Sequence, residues 1–180
     1  HVPKRLEKWF YQYRIFGENP DTSTQFNPDI AILDPYAKAA YGRSGPGIIL
    51  GESSFPKNGV DPGFTPPRWD DLVVCECHVR DLLARLPSSM KPEDRLGYTG
   101  LAKWIRSGQS YLHELGVNAV ELQPIQEFDS LSKEEYHWGY MPVNYFSPES
   151  TYAKHPEKAS QVEEFRDLVQ AMHEQEFTVI

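Results

Sequence analysis

The strongest constraint in this chain is a change of rhythm at residue 70. From there on, short apolar runs alternate with longer segments of helical period. LVVCECHV (72–79) reads as a strand, because β-branched and apolar residues crowd a run of eight. A loop over 88–97 follows. Thr99 is placed to cap a helix that carries Leu101, Trp104, Ile105, Leu112 and Leu115 on one stripe, with Gly116 as a left-handed stop. VNAVELQP (117–124) is a second strand. A polar and aromatic stretch covers 126–152. A helix is expected over about 157–174, with Val162, Phe165, Leu168, Val169 and Met172 inward. FTVI (177–180) opens a third strand. Strand, helix, strand, helix, strand predicts an α/β fold with a parallel sheet. A closed (β/α)8 barrel takes about 250 residues. Residues 70–180 therefore match its first three strands and two helices; a compact three-stranded α/β domain is the alternative.

Upstream, the pattern differs. WFYQYRIF (9–16) is dense in β-formers, and turn residues separate it from FNPDIAILDPYAKA (26–39). Two strands with turns fit residues 1–40. Residues 41–69 are rich in Gly, Pro and Ser and read as linker or packed coil, which sequence does not separate.

Charge and cysteine usage narrow the function. The formal net charge is −8, with acids and bases interspersed. Nucleic acid is thereby disfavoured as a partner, since phosphate neutralisation needs a basic patch. No apolar run approaches the ~20 residues of a membrane span, so no membrane partner is expected. Cys75 and Cys77 stand at i and i+2 of one strand and share a face. They read as structural thiols, neither a disulfide scaffold nor, with His78 on the other face, a metal site. Glu76 and His78 would face a barrel interior, where an internal hydrogen-bond network is the favoured reading over acid–base machinery. Glu121 and Gln123 are read the same way. Glu127 and Asp129 are taken as solvated loop acids.

Four ordered stretches then carry a family resemblance. CECHVRDL (75–82) is similar to a Y-E-x-H-V-R first-strand motif. TGLAKWIRSGQSYLHELGVNAVELQPIQEF (99–128) resembles the first helix and second strand of the same group. HWGYMPVNYFSPESTYA (137–153) resembles its WGY-x-P-x-N-Y/F-x-x-P-x-x-x-Y loop. EEFRDLVQAMHEQEFTVI (163–180) resembles the helix leading into the third strand. The group is that of isoamylase- and pullulanase-type debranching enzymes of the α-amylase superfamily. YQYRIFG and FNPDIAILDPYAKA resemble the end of the β-sandwich module that precedes their barrel. Met141, where relatives often carry Asp or Asn, and Cys75, in place of the usual Tyr, depart from the pattern.

The resemblance implies an architecture: the last strands of a carbohydrate-binding-type β-sandwich (1–40), a linker (41–69), and the start of a (β/α)8 TIM barrel (70–180). It implies hydrolysis of α-1,6 branch points in glycogen, starch or pullulan by a retaining, two-carboxylate mechanism. A branching transferase and a non-catalytic glucan-binding protein are the alternatives. The family's carboxylates come from later strands, so residues 1–180 alone contain no catalytic residue and are expected to lack glycosidase activity. Tyr140 matches the position whose ring stacks on the glucose at the scissile bond, and Asn144 orients the loop or touches sugar. His137 and Trp138 are read as scaffold. No cofactor or metal is implied. The expected partner is an α-glucan, and the expected compartment is cytoplasmic.

Overall fold

The computed structural model describes residues 5–19, 24–55, 63–84, 90–132 and 134–180. Four very short strands form the N-terminal part: β1 (Phe10–Tyr11), β2 (Glu18–Asn19), β3 (Thr24–Gln25) and β4 (Gly47–Ile48). β1 pairs antiparallel with β4, and β2 with β3. Two isolated antiparallel bridges, Tyr13 to Ile32 and Ala40 to Gly47, add to them. The expected pair of regular strands is thus reduced to fragments separated by turns. Residues 41–69 hold packed coil where they are described: Ile48 is 2% exposed and sits in the sheet with β1. Residues 56–62 of that stretch lie outside the described residues.

The second part begins with β5 (Val74–Cys77), followed directly by α1 (Val79–Ala84). Next come α2 (Gly97–Arg106), α3 (Tyr111–Glu114), β6 (Ala119–Leu122), β7 (Gln126–Phe128), β8 (Pro142–Pro148), α4 (Ser160–Glu174) and β9 (Thr178–Val179). β5, β6 and β9 form one parallel sheet in that order. The register runs Val74 to Ala119 through Cys77 to Leu122, then Ala119 to Thr178 and Val120 to Val179. The expected strand–helix alternation is present, with narrower strands.

The helices bury the faces their periodicity dictates. Leu101, Ile105, Leu112, Leu168, Ala171 and Met172 are all fully buried and close with Val120, Phe128 and Phe177 into one apolar core. Burial of such side chains is worth about 1.5–3 kcal/mol each and dominates the stability of this part.

Three helical details depart from expectation. Thr99 lies inside the first turn of α2; its hydroxyl donates to Glu164 at 2.9 Å rather than capping the helix. The expected continuous stripe breaks after Arg106. Ser107 turns its hydroxyl back onto the Trp104 carbonyl at 2.6 Å, and Gly108 adopts φ +65°, so helix resumes only at Tyr111. Leu115 is consequently 59% exposed, outside the stripe. The last long helix starts at Ser160, because Ala159 sits at φ +60° after a single 3-10 turn.

β7 and β8 form an antiparallel hairpin with a shifted register, pairing Gln126 with Pro148, Glu127 with Asn144 and Phe128 with Pro142. Sequence reading leaves 126–152 as a polar and aromatic stretch, with the family-like loop at 137–153. The hairpin rises from the carboxyl end of β6 and carries the WGY segment at its tip.

Candidate functional site: an aromatic platform at the strand ends

Ligand sites in parallel α/β sheets gather outside the carboxyl ends of the strands. Here that end carries Glu76 on β5, Gln123 just past β6, and Tyr140 from the hairpin. The Tyr140 hydroxyl donates to Glu76 Oε1 at 3.3 Å, and Gln123 Nε2 donates to the same oxygen at 3.3 Å. Glu76 also lies level with Glu121 across the parallel pair, and both face solvent. The Tyr140 ring is 59% exposed. Its hydroxyl is tethered while the ring is largely exposed, an arrangement that suits stacking against the apolar C–H face of a sugar. Partial desolvation, then the Glu76 carboxylate, hold the phenol above its ordinary pKa.

The direction of that ring is set by Gly139. This residue takes φ +88°, and a Cβ there would meet the Pro124 carbonyl oxygen at 2.4 Å. Only glycine combines that backbone conformation with so close an approach. The residue before it, Trp138, is 61% exposed. His137 instead belongs to the scaffold: it stacks on Phe128 at 4.9 Å, and its Nδ1 accepts the Gly139 N–H at 2.9 Å.

Asn144 occupies another place than a sugar-contacting residue needs. It is 1% exposed, and both ends of its side-chain amide are hydrogen-bonded. Nδ2 donates to the Asp34 carbonyl at 3.1 Å, while Oδ1 accepts from the backbone N–H groups of Phe146 and Ser147 at 2.7 and 2.8 Å. A buried amide so engaged orients the loop, and its burial keeps it from a ligand. Of the two sequence candidates, then, Tyr140 faces the open rim and Asn144 pins the hairpin from beneath.

His78 is also relocated. β5 ends at Cys77 and α1 begins at Val79, so His78 occupies the junction and is 3% exposed. Its Nδ1 accepts the Arg80 backbone N–H at 3.2 Å, which leaves the hydrogen on Nε2 to reach the His137 carbonyl at 3.0 Å. The ring ties the first strand to the WGY loop and is no partner for Glu76 in proton transfer.

Glu127 is the largest correction. Expected in solvent, it is fully buried, as is Glu149. Ser150 gives Glu127 both its backbone N–H at 2.8 Å and its hydroxyl at 2.7 Å. Phe128 and Thr151 give their N–H groups to Glu149 at 3.0 and 2.9 Å. Burial and the neighbouring Glu149 charge push the Glu127 carboxyl up to about 8, against the lowering influence of Ser150. Burial raises Glu149 as well. Nothing in the spacing of these acids marks them as inward; only the polar donors flanking Glu149 in PESTY hint at it. Asp129, the other expected loop acid, pairs with Arg43 at 2.5 Å.

A cavity of about 710 Å³ lies away from Tyr140, between α1 and the start of α2, lined by Arg80, Leu83, Leu96, Gly97, Tyr152 and His155 among others. Among the described residues no helix is long and apolar enough to cross a membrane.

No family model matches the chain. Known proteins do resemble it. Isoamylase 3, chloroplastic, of Oryza sativa subsp. japonica is 34% identical over 194 residues, covering 94% of this chain and 24% of the relative. The glycogen debranching enzyme of Cronobacter sakazakii is 31% identical over 200 residues, covering 94% and 29%. Among solved structures, the pullulanase from Paenibacillus barengoltzii in complex with maltohexaose and alpha-cyclodextrin superposes with a TM-score of 0.69 at 27% identity, over 94% of this chain and 27% of that one. The chain thus spans about a quarter of the length of the curated relatives it matches.

Proposed function

We propose, for a chain that belongs with the isoamylase- and pullulanase-type debranching enzymes, that the whole protein hydrolyses α-1,6 branch points of an α-glucan such as glycogen, starch or pullulan. The observation that carries this reading is Tyr140, an open aromatic ring held by Glu76 at the carboxyl ends of parallel strands. The pullulanase that superposes on the chain is itself complexed with maltohexaose and alpha-cyclodextrin, which supports an α-glucan as the ligand.

In this reading residues 70–180 are the opening of a (β/α)8 barrel. Residues 1–40 close a β-sandwich module, and 41–69 connect the two. The order β5-β6-β9, parallel throughout, supports the barrel assignment. The chemistry is retaining: one carboxylate attacks the anomeric carbon and a carboxylic acid protonates the leaving oxygen. Residues 1–180 supply neither group and hold one end of the substrate. Tyr140 is the platform; Asn144 is a positioning residue beneath it. Cytoplasmic residence belongs to the same reading, and two cysteines left as thiols support it.

The test uses the full-length protein. Tyr140→Ala is expected to weaken β-cyclodextrin binding and lower kcat/KM on pullulan by about tenfold or more, a loss of about 1.4 kcal/mol or more. Tyr140→Phe keeps the ring and loses only the tether, so its effect stays within about threefold. Unchanged affinity in Tyr140→Ala would overturn the assignment. Reducing-sugar release by residues 1–180 alone would overturn the claim that their part is binding only.

A further inference from the structure

Cys75 and Cys77 leave one feature of β5 unexplained. Their sulfurs lie 3.4 Å apart on the helix-facing side of the strand. Cys77 is buried at 8% exposure, while Cys75 is only partly covered. Two residues along a strand separate Cα atoms by about 6.6 Å, inside the upper limit that a disulfide spans. Bond formation then draws the sulfurs in by about 1.4 Å. It also brings the Cβ atoms, which in an extended strand stand about as far apart as the Cα atoms, to within about 4.5 Å, so the backbone at Glu76 must bend.

We propose that Cys75 and Cys77 are an oxidisable dithiol that closes into an intrastrand disulfide with a small-molecule disulfide as oxidant. Cys75, the more accessible sulfur, attacks one sulfur of the oxidant as thiolate and expels one thiolate. Cys77 then gives its proton to solvent, attacks Cys75 Sγ and expels the second. Two protein thiols are oxidised and one disulfide is reduced to two thiols. The order follows from the environments. Burial and the neighbouring Cys75 push the Cys77 thiol up to about 12, so it is a poor first nucleophile.

The residue between the two sulfurs is Glu76, which faces the opposite side and holds the Tyr140 hydroxyl and the Gln123 amide. Drawing the sulfurs together shortens the strand at Glu76 and moves the anchor of the aromatic platform. This consequence rests on the glucan-binding reading of Tyr140; the dithiol chemistry does not.

The experiment treats the full-length protein with glutathione disulfide, alkylates remaining thiols, and digests with trypsin. Cleavage after Arg68 and Arg80 places both cysteines in one peptide, 69–80, so any other cysteine of the protein is irrelevant. The expected peptide is unalkylated, lighter than the dithiol by two hydrogens, and restored by dithiothreitol. The same oxidation is expected to weaken β-cyclodextrin binding by about twofold, inside the limit set by loss of the tether in Tyr140→Phe, with no response in the Cys75→Ser/Cys77→Ser protein. A peptide that keeps two alkylated thiols, or carries only glutathione adducts, overturns the dithiol. A disulfide that forms without changing affinity overturns its coupling to Tyr140. Absence of binding in the reduced protein refutes the glucan reading alone, and the peptide mass still decides the chemistry.

Discussion

The two parts of this molecule are held together by different physics. The parallel unit, from β5 to β9, closes around an apolar core in which Leu101, Ile105, Leu168 and Met172 are wholly buried. The N-terminal part has two-residue strands, and its Ala39 and Ile48 meet Ala159, just before α4, in a small apolar cluster between the two parts. It is fastened by polar pins that reach it from the other part. Asn144 holds the Asp34 carbonyl, Ser147 Oγ accepts the Ala40 N–H at 2.8 Å, and Gln161 donates to the Ala40 carbonyl at 2.7 Å. Arg166 reaches the Ser54 carbonyl, and Arg43 pairs with Asp129. Apolar burial is non-directional and tolerates irregular partners. A hydrogen bond to a buried carbonyl fixes one residue in one place. An irregular segment without alternating faces has one small apolar seam, and directional bonds fix its place.

The contrast can be broken from either side. The largest effect belongs to the core: Leu168→Ala is expected to cost about 2–5 kcal/mol and to lower the melting of the whole chain, as read by circular dichroism. Next is Gln161→Ala, expected to cost about 1–3 kcal/mol. Its signature is local: faster amide exchange at residues 37–49, with the Val120 and Leu168 amides unaffected. Uniform loss of protection across both parts would mean they are one cooperative unit and the distinction fails.

A third variant sharpens the same border through pH. Glu127 and Glu149 bind their protons more tightly folded than unfolded, the ordinary value being 4.5. Stability from this pair is therefore full below about 4.5 and declines as pH rises through about 8. Thermal melting should fall by a few degrees between pH 6 and 9 in the native sequence. Glu127→Gln should flatten that fall, since its oxygen can still accept the Ser150 N–H while its amide turns to the hydroxyl. An unaltered pH slope would remove the pair as its source. The smallest effect is expected at the surface. Arg106 makes paired contacts to Asp167 at 2.7 and 2.9 Å and to Glu174 at 2.7 Å, yet remains a third exposed. Arg106→Ala should cost about 1 kcal/mol or less, and less still in high salt.

What could be read from the sequence follows the same division. Helical stripes and apolar strand runs report burial directly, which is why β5, β6, α4 and β9 stand close to where periodicity puts them. Tyr140 is singled out as a candidate by the WGY pattern alone. Glu127, Glu149, Asn144 and Gln161 were not legible as buried groups, because a carboxylate or amide looks the same in sequence whether water or a backbone N–H satisfies it. The Ser107–Gly108 break in the first long helix was likewise hidden. It depends on one hydroxyl choosing a carbonyl three residues back rather than solvent.

The reach of the polar pins has a kinetic corollary. Ala40 waits for Gln161, which follows it by 121 positions, and Ser54 waits for Arg166, 112 positions later. Contacts so distant along the chain form late, because the intervening loop must first be closed. On a ribosome the opening segment would leave the exit tunnel long before either partner is synthesised. Its aromatic residues would meanwhile stand in water, where a holdase-type chaperone finds its targets.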